Sequence, residues 1–186
     1  VRPAAAAKEL IENALDAGAS SITLTLRQGG LSLLQIQDNG HGIHPDDFPL
    51  LCARHATSKL SELPDLASIA SLGFRGEALA ALSHLSRLSI TSRTASTPVA
   101  TSASFSAGEL HPETLKRIAA PVGTTVVAED MFWNAPGRKR GFNASEEYRA
   151  VVEVVARFAV RYDTVAFAVR KTGEGGGGAA VDLRTE

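Results

Sequence analysis

"SITLTLRQGGLSLLQIQDNG", residues 21–40, sets Ile22, Leu24 and Leu26 between polar neighbours, turns at Gly29 and Gly30, and resumes through Leu31, Leu33 and Ile36. Alternation of period two on both sides of a glycine pair is the pattern of an antiparallel hairpin with one buried face. A sheet therefore starts early in the chain, and its second strand runs into Asp38, Asn39, Gly40, His41 and Gly42. Upstream, Pro3 suits a first helical turn, Leu10, Ile11, Ala14 and Leu15 propagate a helical period, and Gly18 stands where a left-handed stop belongs. The pattern predicts a helix over roughly residues 3 to 17.

Downstream, residues 45 to 72 read as short helices and loops, and "GFRGEALAALSHL" (73–85) opens another helix. Strands are predicted at "SRLSITSRT" (86–94), "VATSASFS" (99–106), "GTTVVAED" (123–130) and "TVAFAVRKT" (164–172). Between the last two, "SEEYRAVVEVVARFAVRYD" (145–163) carries a long helical period behind a start at Ser145 and Glu146. "GEGGGG" (173–178) is flexible by composition, and "AAVDLRTE" (179–186) reads as a returning strand. Helices grouped apart from a mostly antiparallel sheet give an α+β, two-layer sandwich.

The composition suits one globular domain: 186 residues, 44% hydrophobic, can bury one substantial core. Nineteen Lys and Arg against 20 Asp and Glu leave a formal charge of -1, so any contact with nucleic acid must come from a local patch. Arg138, Lys139 and Arg140 form such a cluster, though a solvated loop explains it better. The single cysteine, Cys52, excludes an internal disulfide framework and cysteine-based zinc clusters, and points to a reducing compartment. No apolar run is long enough to span a bilayer, and no membrane partner is expected.

Three stretches carry possible chemistry. On the first helix, about 100° per residue brings Glu9, Glu12, Asn13 and Asp16 into one quadrant, with Leu10, Ala14 and Ala17 opposite. That quadrant is either a solvated face or a metal and water site, in which a carboxamide oxygen holds Mg²⁺ and a carboxylate one turn away deprotonates water. In "LQIQDNGHGIHPDD" (34–47) a carboxylate at a strand end precedes two glycines, which is a turn, or an acceptor for an exocyclic amine such as that of adenine. In "SLGFRGEALAAL" (71–82) two glycines precede a helix, which is a punctuated helix start or a phosphate cradle. Neither a G-x-x-x-x-G-K-[ST] loop nor a complete dinucleotide fingerprint occurs.

Taken in order, "EN" on the first helix, "DNGHGI" after the hairpin, "GFRGEAL" before a later helix and "GTT" at 123–125 resemble the GHKL ATPases of the Bergerat fold. Within them, "RPAAAAKELIENALDAGA" (2–19), "ARHATSKL" (53–60) and "SLGFRGEALAALSHLSRLSITSRT" (71–94) resemble the MutL mismatch-repair proteins over nearly the whole chain. "EDMFWNAPGRKRGF" (129–142) and "SEEYRAVVEVVARFAV" (145–160) resemble the eukaryotic MutL homolog 1 branch.

The resemblance implies a Mg²⁺-dependent ATPase domain with ATP as cofactor. It implies Glu9 as general base, Asn13 as metal ligand, with Glu12 tuning them, and Asp38 as the adenine-reading carboxylate with Thr124 in its network. It further implies Gly42 as the point of close backbone approach. Gly73, Phe74, Arg75, Gly76, Glu77, Ala78 and Leu79 match the phosphate loop, and Thr57, Ser58 and Lys59 the lid. Implied partners are a second MutL-type subunit, a MutS-type mismatch recogniser and DNA, with the nucleus as location. Residues 1–186 are then one ATPase domain, expected to lack the family's segment before the first helix and its second subdomain. Gly137 and Gly141 depart from the family pattern and predict looser loop packing. Two other readings stay open: a topoisomerase- or chaperone-type ATPase of the same fold, and a non-catalytic scaffold for protein or DNA contact.

Overall fold

The structure, a computed structural model, describes residues 1–53, 77–173 and 180–185. Helix α1 (Pro3–Asp16) ends one residue before the expected boundary. Gly18, at φ +72°, turns the chain, and the amides of Gly18 and Ala19 donate back to the carbonyls of Leu15 and Ala14. Only glycine takes that backbone conformation without a Cβ penalty, so the sequence itself places the stop.

The hairpin forms as expected: β1 (Ser21–Arg27) pairs antiparallel with β2 (Leu33–Asp38) across a 3-10 turn at Gln28–Gly30. That turn shifts the parity of the second strand. The inward residues of β2 are Leu34 and Ile36, and Leu33 is half-buried on the other register position. Pro45–Leu50 forms a 3-10 turn, whereas residues 54–72 of the expected loop region lie outside the described residues.

Helix α2 (Glu77–Leu85) leads into β3 (Arg87–Arg93) and β4 (Ala100–Ser106). Two short strands that the sequence did not announce, β5 (Glu109–Leu110) and β6 (Lys116–Ile118), both pair with β4. β7 (Gly123–Glu129) follows, and then α3 (Pro136–Arg140), a single exposed turn that was also unforeseen. A Cβ at Gly137 would meet open space, so nothing in the packing demands glycine there. Helix α4 (Ala144–Arg161) begins before Ser145, because the Asn143 side chain caps it by accepting from the amides of Ser145 and Glu146. β8 (Ala166–Lys171) and β9 (Ala180–Arg184) complete an antiparallel pair, and residues 174–179 of the glycine run lie outside the described residues.

The strand order is β5-β4-β3-β7-β2-β1-β8-β9, with β6 also against β4. β1 and β8 run parallel and the other pairs antiparallel, while α1, α2 and α4 pack together on the sheet. The mostly antiparallel two-layer α+β sandwich of the sequence reading is the observed fold.

Cross-strand register explains where this fold can hold chemistry. On the helix-facing side, Leu26, Leu34, Ala128, Leu88 and Phe105 form one row across β1, β2, β7, β3 and β4. Leu24, Ile36, Val126, Ile90 and Ala103 form the next. These residues are buried, and each fully buried large apolar side chain contributes roughly 1.5–3 kcal/mol. The third row continues the alternation but changes chemistry: after Ile22 come Asp38, Thr124, Ser92 and Thr101. The core thus ends in a polar row on its own inward face.

Candidate functional site

Asp38 is the charged member of that row. It is half-buried, and its Oδ1 accepts from the Gly40 amide at 2.8 Å. The Thr124 amide also supports the carboxylate, and His41 lies close enough to favour its charge, yet burial outweighs these contacts and raises the Asp38 pKa above the ordinary carboxylate value. An anion kept in a partly dry site with its oxygens already aimed is a strong acceptor for an incoming N–H.

The loop after Asp38 is built to come close to its neighbours. A Cβ on Gly40 would stand 2.8 Å from both Cβ and the carbonyl oxygen of Ala17, and 3.1 Å from Asp38 Oδ1. Gly42, at φ +77°, passes the Arg93 carbonyl so closely that a Cβ would collide with it. Asn39 does scaffolding work: its Oδ1 accepts from the amides of Ser20 and Ser21, both at 2.9 Å, and its Nδ2 donates to Ser20 Oγ.

α1 joins the site through its C-terminal end. The His41 amide donates to the Ala17 carbonyl at 2.9 Å, and the Ala17 amide donates to that of Asn13. Ala17, which helical spacing placed with Leu10 and Ala14, is instead half-buried at the C-cap and backs Gly40. Ala17, Asn13 and Glu9 are each four residues apart, so they form one row up the helix, rising about 6 Å per step. Glu9, Glu12, Asn13 and Asp16 are all half-buried, as a face partly covered by the protein would be. The Glu12 carboxylate is paired with Lys8 Nζ at 2.6 Å, which gives it a structural partner besides any role toward metal or water.

Thr124 faces Asp38 directly across β7 and β2. Its hydroxyl lies 2.9 Å from that of Ser92, a residue sequence reasoning passed over. The available signal was the inward phase of "RLSITSR": Leu88 and Ile90 are apolar, and the next inward position is a serine. Glu77 opens α2, Ala78 is buried and Leu79 half-buried, so the end of the expected phosphate loop leads into a helix packed beside α1. Gly73, Phe74, Arg75, Gly76, Thr57, Ser58 and Lys59 lie outside the described residues.

Hard oxygen donors are the only kind the α1 face offers, and the described residues contain no cluster of three His, Cys, Asp or Glu side chains fit for a metal. A lone carboxamide with flanking carboxylates fits Mg²⁺, which takes one or two protein oxygens and fills its shell with phosphate and water. A separate cleft, lined by Pro49, Cys52, His84 and Gly108 among others, lies at the opposite, Phe105 end of β4.

Known proteins share much of this sequence and fold. The profile of the histidine kinase-, DNA gyrase B- and HSP90-like ATPases matches residues 1–125. The chain is 43% identical over 180 residues to a MutL protein homolog 1 of Schizosaccharomyces pombe, and 47% identical over 174 residues to the DNA mismatch repair protein MutL of Pseudomonas entomophila. Each alignment covers 93% of this chain but only 26% and 27% of those relatives, so the chain spans about a quarter of their length. Among solved structures, the MutL ATPase domain of Aquifex aeolicus complexed with ADP superimposes with a TM-score of 0.71 at 27% identity, covering 96% of this chain and 61% of that one. The N-terminal domain of a DNA repair protein gives 0.82 at 29% identity, covering 97% and 51%. A match over residues 1–125, together with the fold and the order of its site segments, establishes that this chain belongs to the family of histidine kinase-, DNA gyrase B- and HSP90-like ATPases.

Proposed function

We propose that this chain is the ATP-binding, slowly ATP-hydrolysing N-terminal domain of a MutL-type DNA mismatch repair protein. The observation that carries the reading is the polar end row, in which Asp38 and Thr124 stand opposite one another beside a loop held close by Gly40 and Gly42. In this proposal the Asp38 carboxylate accepts from the exocyclic amine of adenine, and the polyphosphate extends along the Ala17, Asn13, Glu9 row. Two helical steps of about 6 Å carry the row some 12 Å from the base end, enough to reach toward a terminal phosphate.

Asn13 would supply the protein oxygen for Mg²⁺, which when bound neutralises polyphosphate charge. Glu9 holds a water and takes its proton as the water attacks the γ-phosphorus. The bond between that phosphorus and the bridging oxygen breaks, leaving ADP and inorganic phosphate. Residues 57–59 and 73–79, which match the family's lid and phosphate-loop motifs, are proposed to contact the phosphates.

Nucleotide occupancy would then control association with a second MutL-type subunit and signalling with a MutS-type recogniser on DNA in the nucleus. Similarity to MutL proteins over 93% of the chain supports this assignment over a topoisomerase or chaperone subunit. The basic turn Arg138, Lys139 and Arg140 is exposed, as phosphate contact requires, although Arg138 also lies over the Phe132 ring.

The test is Glu9→Ala in a repair protein that carries this chain and hydrolyses ATP. Calorimetric affinity for a non-hydrolysable ATP analogue with Mg²⁺ should hold while turnover falls by about 10²–10⁴-fold. Turnover at the parent rate removes Glu9 as base. Absence of nucleotide binding in the parent itself favours the scaffold reading.

A further inference from the structure

Ser92 is 2% exposed and lies on β3, two strands away from Asp38 in the same inward row. Its Oγ accepts from the Ile43 amide at 2.8 Å, donates to the Gly123 carbonyl at 2.9 Å and lies 2.9 Å from Thr124 Oγ1. A serine hydroxyl has one proton and two lone pairs. The Ile43 amide uses one lone pair and the Gly123 carbonyl uses the proton. The contact with Thr124 is then completed by Thr124 donating to the remaining lone pair, which leaves the threonine oxygen with its own lone pairs for the cleft.

Two of these partners, Gly123 and Thr124, adjoin Asp38, and the third, Ile43, belongs to the glycine loop that follows it. Ile43 follows Gly42, whose backbone is pressed against Arg93. Gly123, at φ +125°, approaches the Asp38 carbonyl so closely that a Cβ would collide with it. Thr124 faces Asp38 and supports its carboxylate through the backbone amide. One buried hydroxyl therefore ties the glycine loop, the start of β7 and the Thr124 side chain into a fixed arrangement.

We infer that Ser92 is a positioning residue for the adenine end of the cleft, acting through Thr124 and the Gly42–Ile43 turn rather than by touching nucleotide. This rests on the adenine-nucleotide reading above. It makes the edge of the cleft all acceptor, with Asp38 and Thr124 both offering oxygen lone pairs, which suits an exocyclic amine or a bridging water.

The experiment is calorimetric titration of the chain with ADP and Mg²⁺, comparing parent, Ser92→Ala, Ser92→Thr, Thr124→Val and the Ser92→Ala/Thr124→Val double variant. Ser92→Ala should weaken ADP binding by about fivefold, the worth of one neutral hydrogen bond. Ser92→Thr, which restores the hydroxyl, should stay within about twofold of parent. Because Ser92 acts through Thr124, the double variant should lose less than the product of the two single losses. Should Ser92→Ala fail to fold, Ser92→Cys fills the space with a weak donor and must show the same loss. Parent-like ADP affinity in Ser92→Ala, or losses that multiply, overturns the inference while leaving the nucleotide reading intact. A parent that does not bind ADP overturns both.

Discussion

Replacing Asp38 by asparagine should weaken nucleotide binding without weakening the fold, because the two properties depend on different features of the carboxylate. The amide keeps one carbonyl oxygen for the Gly40 amide, which lies 2.8 Å from Oδ1 in the parent, so the loop retains its anchor. The other oxygen becomes an NH₂ group, which meets an adenine amine as donor against donor. The loss is one hydrogen bond to a charged acceptor, about 1.5–3 kcal/mol, or roughly ten- to hundredfold in Kd. Stability moves the other way. Burial raises the Asp38 pKa in the folded chain, so its favourable contribution is complete below the unfolded carboxylate value and is lost as pH rises through the folded one. At neutral pH the ionised group is a net cost, which the amide removes. Calorimetry with ADP and thermal melting without nucleotide at pH 7 measure the two effects: weaker binding, with a melting temperature at or above that of the parent. The parent's affinity should also begin to fall on acidification at a pH above that of an ordinary aspartate. An Asp38→Asn variant that binds ADP as tightly as the parent, or melts well below it, refutes the reasoning.

Three further outcomes follow from local geometry. Gly42→Ala forces a side chain into positive φ and against the Arg93 carbonyl, so it should cost about 2–4 kcal/mol and lower the melting temperature by roughly 5–10 °C, with nucleotide binding lost alongside. Arg2→Ala removes the 2.8 Å partner of Glu147, a buried carboxylate on α4 that holds the start of α1. With Arg2 itself mostly exposed, denaturant titration should show about 1–2 kcal/mol lost, between the values for surface and buried pairs. Cys52 is fully buried, and burial pushes its thiol up to about 12. Iodoacetamide at pH 8 should therefore label it only as fast as the chain opens, and labelling at the rate of a free thiol under native conditions contradicts that burial.

The sequence made the local features of this molecule readable and hid the ones that depend on register. The β1–β2 hairpin, the Gly18 stop and the Asp38-to-Gly42 segment are each written within a few consecutive residues, because alternation and positive-φ glycine act locally. Ser92 was missed although its strand was predicted. Its meaning arises from pairing β3 to β7 and β7 to β2, which brings it against residues 31 and 32 positions away in sequence. The same holds for Arg2 and Glu147, 145 positions apart. The predicted α4 start at Ser145 and Glu146 lies just inside the helix, whose cap is the Asn143 side chain. β5 and β6 are too short to carry a period, and they exist as strands because β4 offers its edge.

If α1, the Asp38 loop and the β7–β3 row share one nucleotide cleft, a crystal structure of this chain with Mg²⁺ and a non-hydrolysable ATP analogue tests that most directly. The adenine amine should lie within hydrogen-bond distance of Asp38, with the phosphates running past Asn13 toward Glu9. A base seated away from Asp38, or phosphates that leave α1 untouched, would contradict it.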